Sequence, residues 1–336
     1  MCTRVVYLGE NNTVITGRNL DWGDDMRTNI WVMPRGVERD GLAGPNSLKW
    51  KSKYGSVIST AYDIGAADGM NEKNLVANVL WLAEADFGKP DGRPTMSLSI
   101  WLQYVLDNFA SVNEAVGALS LDAFQILPFT LPNGRFTTVH LAISDASGDS
   151  AIFEYLNGKL VIHHGREYQV MTNSPTYDEQ LALNNYWKAL GFQKFLPGTI
   201  SAADRFARAY AFVSEVPTQA DKRYISAVPN ADFHNQALSS VRGIMRAVSV
   251  PLGVAFDSQP NLSSTIWTTV FDHKKSVMYF DSQTSPNTFW VDFKELDFSE
   301  GAPVKKLTVA GGMIYAGDTA KQFEASNPIA FFAVPA

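Results

Sequence analysis

Only one cysteine, Cys2, occurs in 336 residues, so the chain carries neither an internal disulfide framework nor a thiolate metal cluster. Nowhere do 18 apolar residues run together, and no membrane-spanning helix is expected. Lys and Arg never gather into a basic patch, and the formal net charge is −6. Partnership with nucleic acid or an anionic membrane surface is therefore disfavoured. The five histidines (His140, His163, His164, His234 and His273) show no His-x-x-x-His or mixed ligand spacing. They read as structural, and metal catalysis is not expected. The first residues lack a basic segment followed by a long apolar one, which leaves no signal-peptide pattern. Sequons at Asn11 and Asn261 carry weight only in a secretory setting.

What the chain does contain is enough apolar residue, 46%, for a substantial core. Its first third reads as strands. Arg4–Leu8 and Val14–Asn19 are β-branched and flank Glu10-Asn11-Asn12, a hairpin signal. Asn29–Met33 and Ser56–Tyr62 follow, then a turn at Gly69–Asn74 and an apolar strand Leu75–Leu82. The period then changes. Leu98, Trp101, Leu102, Val105, Leu106 and Phe109 fall at helical spacing within Ser97–Phe109, and Ser111 with Glu114 marks another helix start. Thr137–Ser144, Ala151–Tyr155, Lys159–His163 and Tyr168–Thr172 return to strand, with Asn157-Gly158 as a turn. Helices are expected at Thr176–Leu190, Ser201–Val213 and His234–Val248, and strands at Thr265–Phe271, Ser276–Asp281 and Thr288–Phe293. Runs of strands alternating with runs of helices predict an α+β fold, two antiparallel sheets with helices segregated onto faces, as a single domain over residues 1–336.

Cys2 holds a special place. Cysteine is small enough for removal of Met1, and the product carries a thiol and a free α-amine on one residue. That pairs a nucleophile with a base of suitable strength within a few bonds.

At Cys2, Arg18-Asn19-Leu20-Asp21-Trp22 and Met171-Thr172-Asn173-Ser174-Pro175-Thr176 the chain resembles the choloylglycine hydrolase family of linear amide hydrolases. That family includes the penicillin V acylases and conjugated bile salt hydrolases. Gly69-Met70-Asn71-Glu72-Lys73, Leu196-Pro197-Gly198 and Asp204-Arg205-Phe206 extend the match. Ser263–Trp267 and Tyr279-Phe280-Asp281 look like its Gram-negative branch. The resemblance implies an N-terminal-nucleophile hydrolase, an αββα sandwich, no cofactor or metal, and a homotetramer. It also implies a periplasmic mature form whose export signal is absent from this sequence, with a cytoplasmic enzyme as the alternative.

By the same resemblance Cys2 is the nucleophile, forming a thioester acyl-enzyme, and its α-amine is the base. Arg18 matches the arginine beside the thiol, where a fixed cation stabilises a thiolate. Asp21 matches the carboxylate that orients the α-amine. Asn173 matches the oxyanion-hole asparagine, and Arg205 an arginine that holds the site together. The second oxyanion donor falls at Trp81, where bile salt hydrolases tend to carry Asn; a backbone N–H there still serves. Trp22 and Trp81 suit the wall of an acyl pocket for a phenoxyacetyl or fatty acyl group. A small-molecule acyl amide is the expected substrate, with penicillin V ahead of conjugated bile salts and N-acyl homoserine lactones. From another class, a non-catalytic acyl-ligand-binding relative remains the alternative.

Overall fold

The computed structural model describes residues 1–254 and 263–334, so the sequon at Asn261 lies outside the described residues. Strands β1 (Cys2–Gly9) and β2 (Thr13–Trp22) form a hairpin. Its two central turn residues, Asn11 and Asn12, both have positive φ (55° and 56°), and Thr13 N–H donates to the Glu10 carbonyl. This backbone matches the twist of the flanking strands, and asparagine tolerates it. Asn157-Gly158 turns the strands Ser150–Leu156 and Lys159–His164 in the same way.

Two large sheets dominate the described residues. In the first, of seven strands, the order is Val170–Met171, β1, β2, Ser264–Asp272, Val277–Ser282, Thr288–Asp292 and Gly317–Asp318. The second, of nine strands, is antiparallel throughout. Its order is Lys159–His164, Ser150–Leu156, Val139–Ser144, Val76–Trp81, Gly65–Asn71, Ser56–Ala61, Ile30–Met33, Lys305–Leu307 and Glu324–Ala325. Helix α1 (Leu98–Asn108) packs on Gly65–Asn71 and Val76–Trp81, and α2 (Val112–Leu119) on Ser150–Leu156. Helix α3 (Tyr177–Leu190) lies on α4 (Ala202–Glu215), α4 on β1, and α5 (Phe233–Ala247) on β2. With β1 and β2 facing Val76–Trp81 across the interior, the layers read α-β-β-α.

The helix starts sit where capping chemistry puts them. Ser97, Ser111 and Ser201 each accept a backbone N–H from the first turn of α1, α2 and α4. One expected turn is differently placed. Gly69, Met70 and Asn71 belong to the strand Gly65–Asn71, and the turn begins only at Asn71. Gly65-Ala66-Ala67 carries no β-branched signal because α1 packs close against it. At Gly69 an added Cβ meets the Val57 carbonyl at 2.6 Å and a Leu106 methyl at 2.9 Å. The Asn71 side chain accepts from the N–H groups of Lys73 and Leu75 and donates to the carbonyls of Leu106 and Phe109. It thereby pins this hairpin to the end of α1. The Gly69–Lys73 motif thus builds scaffold and carries no reacting group.

Candidate active site

Alternation along the β1–β2 hairpin sorts its side chains into two sets. Cys2 and Arg4 on β1, with Arg18, Leu20 and Trp22 on β2, point into the space between the sheets. Thr3, Asn19 and Asp21 point toward the helices. The thiol and the main-chain nitrogen of Cys2 are therefore served from opposite faces of one sheet edge.

On the inner face, Arg18 Nη2 lies 3.6 Å from Cys2 Sγ and donates to the Val79 carbonyl at 3.0 Å. The guanidinium is buried against the Trp267 ring, 4.5 Å from its centroid. Its Nε and Nη1 have no hydrogen-bond partner among the described residues. On the helical face, Arg205 of α4 donates to the Cys2 carbonyl, to Thr3 Oγ1 and, at 2.9 Å, to Asn173 Oδ1. It also stands 3.5 Å from Asp21 Oδ2, an oxygen with no hydrogen-bond partner among the described residues. Asp21 Oδ1 accepts from Thr265. Burial pushes the Asp21 carboxyl up and the Arg205 guanidinium down, and each charge partly offsets the other's shift.

Asn173 joins the two faces. Its Oδ1 accepts from Cys2 N–H at 2.6 Å and from Arg205, which fixes the orientation of the amide, since only an oxygen accepts from both. The sequence reading has the Asn173 NH2 facing an oxyanion. One of its two N–H groups instead donates to the Trp81 carbonyl at 2.7 Å, leaving the second. The Val79 and Trp81 carbonyls are free for this role because Val76–Trp81 pairs with Gly65–Asn71 only as far as Asp68↔Asn78. Beyond that point the strands part. Leu82 N–H donates to Thr138, so by alternation the N–H of Trp81 faces the parted side with its carbonyl.

An apolar pocket lies here, lined by Cys2 together with Trp22, Met26, Trp81, Phe129, Leu131 and Val139. Trp22 and Trp81 stand 5.3 Å apart at 52°. Trp22 Nε1 donates to Tyr62 Oη at 2.8 Å, and Tyr62 in turn bonds Asp24. All seven residues singled out in the sequence, Cys2, Arg18, Asp21, Trp22, Trp81, Asn173 and Arg205, thus gather around Cys2, some on the thiol side and some on the backbone side.

Sequence reasoning missed the supporting layer. His140 Nε2 contacts the Thr172 carbonyl at 3.0 Å and its Nδ1 contacts Glu154 at 2.8 Å, while the other Glu154 oxygen accepts from Tyr177 N–H at the start of α3. Gln180 of α3 donates to the carbonyls of Asn173 and Ser174. Together they hold the segment carrying Asn173. Asp68 is the second omission. It is buried between the sheets, accepting from Asn78 and Thr269 with Arg18 nearby. Burial pushes its carboxyl up to about 6, against the pull of Arg18, Thr269 and Asn78. The folded chain therefore holds this proton more tightly than the unfolded chain, whose ordinary value is 3.8. The stabilisation is complete below the unfolded value and is lost as pH rises through about 6. In urea unfolding, the stability difference between wild type and Asp68→Asn is expected to shift in the variant's favour by about 2–3 kcal/mol between pH 4 and 7. A pH-independent difference removes this account of Asp68.

No group of three or more His, Cys, Asp or Glu among the described residues is placed to hold a metal ion. None of the described helices is long and apolar enough to cross a membrane.

A family model described as linear amide C–N hydrolases of the choloylglycine hydrolase family matches residues 2–305. The chain is 45% identical to the penicillin V acylase of Pectobacterium atrosepticum, over 98% of this chain and 92% of that protein. It is 28% identical to the bile salt hydrolase/transferase of Clostridium perfringens, over 74% of this chain and 82% of that one. The solved penicillin V acylase of Agrobacterium tumefaciens superposes with a TM-score of 0.89 at 49% identity, covering 99% of this chain and 100% of that structure.

Proposed function

Since this chain belongs to the choloylglycine hydrolase family and is a linear amide C–N hydrolase, we propose that it cleaves aryl-acyl amides of the penicillin V kind, with Cys2 as an N-terminal nucleophile. One observation carries the reading: Cys2 lines the same apolar pocket as the Trp22–Trp81 pair. Such walls accept a flat aromatic acyl group and exclude water from the reacting carbonyl.

The chemistry uses Cys2 with a free α-amine. With residue 1 attached, the Cys2 nitrogen is an amide and cannot act as base. The Met1 ammonium then donates to the Asp21 carbonyl, and burial holds its pKa below the ordinary α-amine range. Once Cys2 is the first residue, its amine takes the thiol proton, and the orphaned Asp21 Oδ2 is a ready partner for the ammonium so formed. The thiolate, beside Arg18, adds to the amide carbonyl. The oxyanion faces the second N–H of Asn173 and the backbone N–H of Trp81. The intermediate collapses to a thioester as the ammonium hands its proton to the leaving amine. Water, activated by the same amine, then frees the acid and restores the thiol.

We also propose a homo-oligomer, a tetramer by likeness to the family. Leu183, Tyr186, Leu190 and Phe195, all exposed on α3 and the segment after it, are apolar surface suited to such an assembly.

Release of free amine from penicillin V and from a glycine-conjugated bile salt, at equal concentration, is the direct test. Faster turnover of penicillin V is expected. The reverse preference keeps the catalytic assignment and overturns the substrate, and binding without turnover of either, once Cys2 is shown to carry a free amine, favours a non-catalytic relative.

A further inference from the structure

Resting on the reading of Cys2 as the nucleophile, we infer that Asp68 is a positioning residue for the reaction: its carboxylate shares the Arg18 guanidinium with the Cys2 thiolate. An acid on the opposite sheet then sets how readily the nucleophile ionises.

Arg4, Arg18 and Thr269 stand directly opposite one another on β1, β2 and the strand Ser264–Asp272, and so share the inner face of the first sheet. Two buried guanidinium groups therefore lie on adjacent strands, and neither has a carboxylate within 4.0 Å among the described residues. Arg4 is spoken for, donating to Ser150 Oγ and to the carbonyls of Ile143 and Tyr168. Arg18 is held at Nη2 alone, by the thiol and the Val79 carbonyl, while its Nε and Nη1 have no hydrogen-bond partner among the described residues.

Asp68 reaches this row from the second sheet. Its Oδ2 accepts from Thr269, the residue opposite Arg18. Its Oδ1 accepts from Asn78, the residue before the Val79 that receives Arg18. Both oxygens are thus tied to groups that adjoin the guanidinium. Ser59 stands opposite Asp68 on its other flank, and α1 packs against its strand. Among the described residues Arg18 is the one charge acting on Asp68. The charged groups around Cys2 are Arg18 on the inner face, with Asp21 and Arg205 on the helical face. Glu154 is committed to His140 and the Tyr177 N–H.

A cation with two claimants stabilises each less than it would alone. With Asp68 protonated, Arg18 serves the thiol undivided. With Asp68 ionised, the hold on the thiolate loosens, and a thiol that ionises less easily gives the stronger nucleophile.

The test is the rate of Cys2 alkylation by iodoacetamide between pH 5 and 8, in enzyme shown to begin at Cys2. Asp68→Asn is expected to match wild type at pH 5. It is expected to react about three-fold or more faster as pH rises through about 6, where Asp68 ionises. Thr269→Val removes a donor that favours the ionised carboxyl, so this variant is expected to fall away from Asp68→Asn only at a higher pH than wild type does. In an Arg18→Gln background, Asp68→Asn is expected to change nothing. A rate offset that is the same at every pH makes Asp68 merely structural, and a pH-dependent rise that survives in Arg18→Gln means that Asp68 acts on the thiol without Arg18. Either result overturns the inference while the nucleophile reading stands. Turnover of penicillin V that persists after complete alkylation of Cys2 overturns both.

Discussion

Replacing Cys2 with alanine is expected to leave the sandwich folded and to lower amide cleavage by about 10⁴-fold or more, because no covalent route then remains. The change removes one sulfur atom from a site whose hydrogen bonds run through the Cys2 backbone. Cys2 N–H still reaches Asn173 and the Cys2 carbonyl still receives Arg205. Binding of an aryl-acyl amide to the pocket therefore survives while turnover does not. The check is amine release from penicillin V alongside the unfolding midpoint of the same sample. Alanine activity above a tenth of wild type removes Cys2 as nucleophile. Intact mass belongs to the same experiment: the active wild-type sample is expected to begin at Cys2, and full activity with residue 1 retained would contradict the α-amine as base.

Arg205→Leu is the second large expectation, and it acts on folding as well as rate. Arg205 is fully buried and holds the Cys2 carbonyl, Thr3, Asn173 and, by charge, Asp21. Removing it strands the Asp21 carboxylate in a medium that already penalises its charge. The expected loss is about 3–5 kcal/mol of stability, the usual cost of breaking a buried ion pair from one side. Because Asn173 loses a donor that fixes its amide, the folded fraction also loses about 10²-fold or more in kcat. The double variant Arg205→Leu/Asp21→Asn is expected to regain a large part of the stability and none of the activity. Urea unfolding of the four proteins in the cycle measures the coupling. A double variant no more stable than Arg205→Leu alone sinks the ion-pair account.

The parts of this architecture that could be read in advance are those with local causes. Asn11-Asn12 demand a tight hairpin, Ser111 with Glu114 marks a helix start, and a lone cysteine at position 2 has few structural uses. The site residues were legible only through motif likeness, because the contacts that unite them span up to 203 residues, as in the bond from Arg205 to Cys2. What stayed hidden was non-local. Asp68 and Glu154 sit in ordinary strand patterns and gain meaning only when the opposite sheet or a helix start closes over them. The strand Gly65–Asn71 was masked by its small residues, whose purpose is close approach of α1. The closing strands Lys305–Leu307, Gly317–Asp318 and Glu324–Ala325 are too short to show any period.

The placement of Arg18 has a consequence for timing. Arg18 meets Cys2 within a single hairpin, residues 2–22. Yet Thr269, its partner across the sheet, arrives about 250 residues later, and the Val79 carbonyl belongs to the other sheet. The Arg18–Cys2 contact is therefore local, while its buried setting is complete only when the strand Ser264–Asp272 has joined the sheet. A chain that ends before that strand leaves Arg18 without its neighbour across the sheet.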